Sequence, residues 1–169
     1  MTDKVKFIGE KAKVKEYGDA WVIEFPRTLM HYHTYGELTP HFKALGQGKL
    51  MGTRCTNKAC PISQGKGQTW VPPRIDCPDC HAKMKWVEVK APVIGKIYSF
   101  TRVERGGYGL EISTPYYQID VEIKGLCTIP KGYLVNAKKE PKIGDKVQAF
   151  FRKGKEASHT SLDIYWKLV

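Results

Sequence analysis

The sequence predicts a mainly β chain with an N-terminal hairpin and helical segment, a metal ribbon, and a small closed barrel. Two observations carry that prediction. Short apolar–polar alternations separated by Gly, Pro and Asp run from Pro92 to Val169, and four cysteines stand ahead of them in two close pairs. A chain of 169 residues that is 41% apolar suits one ordinary domain, or smaller modules stapled by a metal. The pieces are expected at residues 1–51, 52–90 and 91–169.

In the first piece, Val14 to Phe25 reads as two short strands around a Gly18-Asp19 turn, ended by Pro26. Tyr32, Tyr35, Leu38, Phe42 and Leu45 then recur at spacings of three and four. That is the period of an amphipathic helix. Pro40 belongs in its first turn, so the helix is expected to begin near Leu38 or Thr39, with Gly46 and Gly48 as its stop. Residues 31–36 are left as an earlier turn or short helix. His31, His33 and His41 do not fall on one metal-binding helix face and are expected at the surface or at an interface.

In the second piece, Cys55-Thr-Asn-Lys-Ala-Cys60 and Cys77-Pro-Asp-Cys80 place two thiols on each of two tight turns, joined by a 16-residue connection. Such pairs read as a zinc ribbon. Four thiolates about 2.3 Å from Zn²⁺ fill a tetrahedral shell and leave no position for a reacting water, which makes the expected ion structural. Iron in the same cage stays open. His81, next to Cys80, is expected on the surface of the knuckle.

The third piece alternates over Gly95–Val103, Tyr116–Lys124, Leu126–Pro130, Tyr133–Ala137, Val147–Arg152 and Leu162–Leu168. Tyr117, Ile119, Val121 and Ile123 should face the barrel interior, with Gln118, Asp120, Glu122 and Lys124 outside. Cys127, in an apolar run, is expected as a small buried hydrophobe rather than a nucleophile.

The balance of 28 Lys+Arg against 17 Asp+Glu gives +11, which favours a negative partner: nucleic acid, an acidic protein or a phosphorylated cofactor. No apolar run approaches the roughly 18 residues of a membrane span, and Met1 to Lys13 holds no continuous apolar stretch. A cytoplasmic location away from membranes is expected.

The order of features carries a further reading. A helix precedes Gly48-Lys49-Leu50-Met51-Gly52-Thr53-Arg54-Cys55; Val71-Pro72-Pro73-Arg74-Ile75-Asp76-Cys77-Pro78-Asp79-Cys80 follows, then Trp86, then Gly95-Lys96-Ile97-Tyr98-Ser99-Phe100-Thr101-Arg102-Val103. Pro115-Tyr116 and Ile143-Gly144-Asp145-Lys146-Val147 close the series. From about residue 36 to 152 the chain resembles the acyl-CoA-associated family of zinc-ribbon and OB-fold proteins, long filed as a domain of unknown function. The resemblance implies a rubredoxin-like zinc ribbon and a C-terminal OB-fold barrel. It implies a non-catalytic accessory subunit beside a thiolase or related C–C bond-forming or cleaving enzyme, as in a two-component thiolase, with a CoA thioester at the partner interface. Two departures are the ribbon lengthened by Pro61 to Trp70 and the hairpin added by residues 1–30.

For coenzyme A, Arg74, Arg102 and Arg105 are the cofactor-facing candidates, since guanidinium meets phosphate in bidentate fashion; each also reads as an exposed charge or partner contact. The Gly106-Gly107-Tyr108-Gly109 loop can close over a ligand or serve as a plain barrel loop. Tyr98, Phe100, Tyr108, Tyr116 and Tyr117 read first as barrel core or surface. The alternative function is a nucleic-acid-binding zinc-ribbon/OB-fold protein, and against it the charge forms no concentrated stripe. Catalysis by this chain alone has little support, because no nucleophile–base pair, phosphate loop or open metal site is recognisable.

Overall fold

Alternation and a Gly-Asp turn give the first element, a hairpin of β1 (Lys13–Tyr17) and β2 (Ala20–Glu24). Gly18 takes φ +60° at the turn, a conformation that costs glycine nothing. The computed structural model describes residues 13–24, 32, 34–106, 112–135, 137 and 139–169; His31, His33 and the 107–109 part of the glycine loop lie outside them. The chain forms two units, Met1–Thr34 and Tyr35–Val169.

The second unit opens on a 3₁₀ turn, Gly36–Leu38, that runs into α1 (Thr39–Gly46) with Pro40 in the first turn. Helix α1 stops where Gly48, at φ +79°, donates its amide to the Leu45 carbonyl at 2.8 Å. Strands β3 (Leu50–Arg54), β4 (Thr69–Trp70) and β5 (Lys85–Val89) then form an antiparallel sheet in the order β4-β3-β5. The barrel contains β6 (Ile94–Val103), β7 (Tyr116–Glu122), β8 (Lys131–Leu134), β9 (Lys146–Phe151) and β10 (Ile164–Leu168). It closes in the order β6-β7-β8-β10-β9, with β9 returning to β6; the β8–β10 pair is parallel and the others are antiparallel.

Ile97, Ile119, Val121, Leu134, Val147, Ala149 and Trp166 fill the barrel, and Leu45 of α1, Leu50 of β3 and Val71 join the same core. Ile119, Val121 and Ile123 are buried as the alternation predicts, and Tyr117 packs partly buried against them. The helix, the ribbon sheet and the barrel therefore share one apolar interior.

Three expectations are corrected. Leu126–Pro130 is not a strand of the barrel: Gly125 turns the chain at φ +89°, and the segment instead lies beside β4, pairing Leu126 with Thr69. Cys127 is consequently exposed, not buried. His41 is buried rather than at the surface, because α1 lays its first turn against β3 and the ring hydrogen-bonds the Met51 carbonyl through Nδ1 at 2.7 Å.

Candidate metal centre

Cys55 follows directly on β3, so the antiparallel sheet sets where the first knuckle begins. Asn57 shapes that knuckle: its Oδ1 accepts from the Ala59 amide at 3.0 Å, an Asx-type turn, and its carbonyl accepts from the Cys60 amide at 3.1 Å. The second knuckle is closed by the Cys77 amide on the Ala82 carbonyl and the His81 amide on the Cys77 carbonyl, both at 2.9 Å. His81 adopts φ +56° to complete this turn and supplies no thiol-like ligand to the cluster, whose members are the four cysteines.

The four Sγ atoms lie within 4.8 Å of one another, with Cys55–Cys80 at 3.8 Å and Cys60–Cys77 at 4.0 Å. A tetrahedron of sulfurs about 2.3 Å from a central ion has edges of about 3.8 Å. The residues therefore fit a tetrahedral, thiophilic metal. Cys55, Cys60 and Cys77 are buried, with Met84 and Trp70 packed beside them, so solvent has little access. Donors from the chain already point at sulfur: the Ser63 amide to Cys60 at 3.4 Å and Asn57 Nδ2 to Cys80 at 3.5 Å. The Ser63 side chain is the main influence drawing the Cys55 thiol below its ordinary pKa and Cys60 down to about 6. Burial instead pushes Cys77 up to about 12. A divalent cation would favour the thiolate form at all four.

The ribbon is stitched to its surroundings by two threonines that each bind both backbone groups of one residue. Thr53 donates its hydroxyl to the Arg74 carbonyl at 2.7 Å and accepts from the Arg74 amide at 2.9 Å. Thr128, beyond β7, donates to the Val71 carbonyl at 2.6 Å and accepts from the Val71 amide at 3.0 Å. Beside it, the Cys127 amide donates to the Thr69 carbonyl at 3.0 Å. The knuckles are thus held to β3, and β4 is held to the barrel, by paired hydrogen bonds.

The arginines are dispersed along the chain. Arg74 sits in the ribbon with its guanidinium 5.0 Å from the Trp70 ring centroid, Arg102 on β6 is ion-paired with Glu104 at 3.2 Å, and Arg105 is exposed past the end of β6. Phe100 and Tyr117 pack on the core with their rings edge to face, whereas Tyr98 is exposed. Among the described residues, no helix is long and apolar enough to cross a membrane.

The chain is 33% identical over 117 residues to a DUF35 domain-containing scaffold protein of Methanocaldococcus jannaschii, a match that spans 69% of this chain and 77% of that protein. The chain belongs to the DUF35 family. A second DUF35 domain-containing scaffold protein, from Methanothermobacter thermautotrophicus, is 27% identical over 99 residues, 59% of this chain and 74% of that one. The DUF35 chain shares its fold with the structure described as an Ltp2-ChsH2(DUF35) aldolase, at TM-score 0.61 and 22% identity over 82% of this chain and 98% of that one. It also shares it with a DUF35 protein of unknown function from Sulfolobus solfataricus, at TM-score 0.54 and 20% identity over 79% of this chain and 87% of that one. No family model matches the sequence.

Proposed function

We propose that this DUF35 chain is a non-catalytic accessory subunit that holds one structural Zn²⁺ on Cys55, Cys60, Cys77 and Cys80 and assembles with a thiolase-type catalytic subunit in the cytoplasm. The observation that carries the reading is the closed four-thiol cluster, built on a ribbon that is hydrogen-bonded to the barrel and shares its core. Such a centre fixes geometry and offers no open coordination site for chemistry. The relatives named as scaffold proteins support the same role, and the structure described as an Ltp2-ChsH2(DUF35) aldolase supports an enzyme as the partner. A two-component thiolase such as benzylsuccinyl-CoA thiolase is the specific kind of partner, with the acyl-CoA held at the interface.

In this reading residues 1–51 dock the partner, residues 52–90 are the zinc ribbon, and residues 91–169 are the OB-fold barrel. The hairpin supports the first assignment: all ten of its strand residues are exposed, Trp21 to 70%, and Val14, Trp21 and Ile23 share one face by register. A two-stranded hairpin is marginal in water and gains stability from a covering surface.

Native mass spectrometry of the chain from its source, under reducing conditions, tests the proposal. One zinc per copy and a second subunit of thiolase size are expected. Cys77→Ser should release the metal and abolish the complex together; an intact complex without metal would refute the coupling.

A second reading, nucleic-acid binding, has one observation in its favour. Phe150 and Tyr165 stack across β9 and β10 at 5.9 Å, Tyr133 lies 6.3 Å from Tyr165, and Lys167 stands over both Phe150 and Tyr165. Binding of an oligonucleotide that collapses steeply with salt and ignores coenzyme A would favour it.

A further inference from the structure

Single exposed apolar side chains are ordinary on a protein surface, but Tyr98 and Ile143 are set beside each other by two irregularities that flank one buried residue. Ile97 of β6 is 1% exposed and belongs to the barrel core. Towards β7 the pairing passes from Ile97–Val121 to Ser99–Asp120, which leaves Tyr98 without an opposite residue. A bulge re-aims the side chain it carries, and Tyr98 is 57% exposed. On the other side, Ile97 donates its amide to the Asp145 carbonyl at 2.9 Å and accepts from the Gly144 amide at 2.8 Å, so two residues face one. Gly144, at φ +91°, is the third residue of a turn closed by the Asp145 amide on the Lys142 carbonyl at 3.1 Å. These are the marks of a type II turn running into a glycine bulge. Ile143 takes the second position of that turn and is 71% exposed.

The turn is fixed at its base. Pro141 before it and Val147 after it are fully buried, and the Asp145 carboxylate accepts the Lys142 amide at 2.9 Å. Neither Tyr98 nor Ile143 adds to the core, and a polar residue would serve the second turn position as well as isoleucine does. An apolar tip on a backbone held this way loses little conformational freedom when it is covered. Lysines surround it: Lys142 lies in the turn, and Lys96 and Lys146 stand opposite each other in the β6–β9 ladder. Glu122 faces Lys96 across β7, and Asp145 is turned to the Lys142 amide, so positive charge outweighs negative around the tip.

We infer that Ile143 and Tyr98 form a rigid two-residue anchor on the barrel that seats in an apolar socket, rimmed by carboxylates, on the catalytic partner subunit. The inference deepens the accessory-subunit reading and rests on it for the existence of that partner. It adds a docking point on β6 and the turn before β9 to the one assigned to residues 1–51. Tyrosine anchors set in a rigid frame carry much of the energy of protein interfaces, and the lysines match an acidic rim. A bilayer suits the feature less well: even one myristoyl chain binds a membrane only marginally, and one isoleucine with one tyrosine buries less.

The test uses the zinc-loaded full chain and the purified thiolase-size subunit that assembles with it stoichiometrically. Ile143→Ser and Tyr98→Ser should each weaken that complex about tenfold, mainly through faster dissociation. Thermal melts and zinc content should stay at wild-type values, since both side chains lie outside the core. Ile62→Ser removes an isoleucine that is 74% exposed on the ribbon and should change the affinity less than about twofold. A benzophenone carried at position 143 should cross-link to one site on the partner. Wild-type affinity in the Tyr98→Ser/Ile143→Ser double variant would overturn the anchor alone, leaving the accessory reading intact. Failure of the wild-type chain to assemble with any such subunit would remove both. Equal weakening by Ile62→Ser, or weakening accompanied by a lower Tm, would also overturn the anchor. A dimer of this chain that dissociates in Ile143→Ser would overturn it in favour of a second copy. Sedimentation with phosphatidylglycerol vesicles that is lost in Ile143→Ser would overturn it in favour of a lipid surface.

Discussion

Replacing Thr128 by Val keeps the shape of the side chain and removes the hydroxyl that ties the ribbon to the barrel. Val71, only 3% exposed, loses the acceptor for its amide and the donor to its carbonyl in one step. A buried polar group left unpaired costs about 1–3 kcal/mol, and two are created here. The methyl that replaces the hydroxyl returns about 0.8 kcal/mol if it is buried. The net loss is about 1–5 kcal/mol, which for a chain of this size lowers Tm by roughly 2–20 °C. Thr128→Ser keeps the oxygen and should lose less than half as much. Urea denaturation of the three proteins at matched zinc content gives the energies. Amide exchange at Val71 gives the local reading, since that N–H should open far faster in the valine variant than amides in β6 or β7. A Thr128→Val protein within about 0.5 kcal/mol of wild type, or a serine variant equally destabilised, would refute the claim that this hydroxyl holds the two parts together. In the accessory-subunit reading the valine variant should also keep its metal while losing affinity for the partner.

A methyl added at Gly132 would sit 2.5 Å from Trp166 Cδ1 and closer still to Nε1, against an indole that is 1% exposed and has nowhere to move. Gly132→Ala should therefore cost about 1–3 kcal/mol, and adding Trp166→Leu should give a double variant less destabilised than the two single losses combined; strict additivity in thermal melts would count against the collision. Burial holds the His41 imidazole below its ordinary pKa, against the opposing pull of the Met51 carbonyl. Only the unfolded chain takes up this proton near the ordinary value of about 6.5, so the contribution is complete above that pH and falls as pH drops toward the folded pKa, by up to about 1.4 kcal/mol per unit. Denaturation midpoints measured from about pH 8 to about pH 5 should slope less in His41→Asn than in wild type, and equal slopes would exclude His41 as the source.

What was legible in the sequence is what local chemistry decides. The paired cysteines need only their own turns to be recognised, and the alternation from Tyr117 to Ile123 reveals which side of β7 is buried whatever its neighbours are. Pro40 and Gly48 mark the ends of α1 for equally local reasons, one as a residue without an amide to donate and the other as a residue free to take φ +79°. The errors arise where a distant partner decides. Leu126–Pro130 has the composition of a strand, yet Cys127 and Thr128 at its centre hydrogen-bond to Thr69 and Val71, more than fifty residues away in the chain. That diversion also exposes Cys127. In β6 the register shifts between Ile97 and Ser99, so Ile97 and Phe100 both pack on the core although their spacing of three breaks strict alternation. That Lys96 faces Lys146 across the β6–β9 ladder was likewise not legible, because nothing in one strand tells which residue its partner strand will place opposite. Arginine was the natural choice for phosphate on chemical grounds, and what residue type alone does not tell is that Arg74 comes to stand over Trp70 and Arg102 beside Glu104, contacts set by the folded strands.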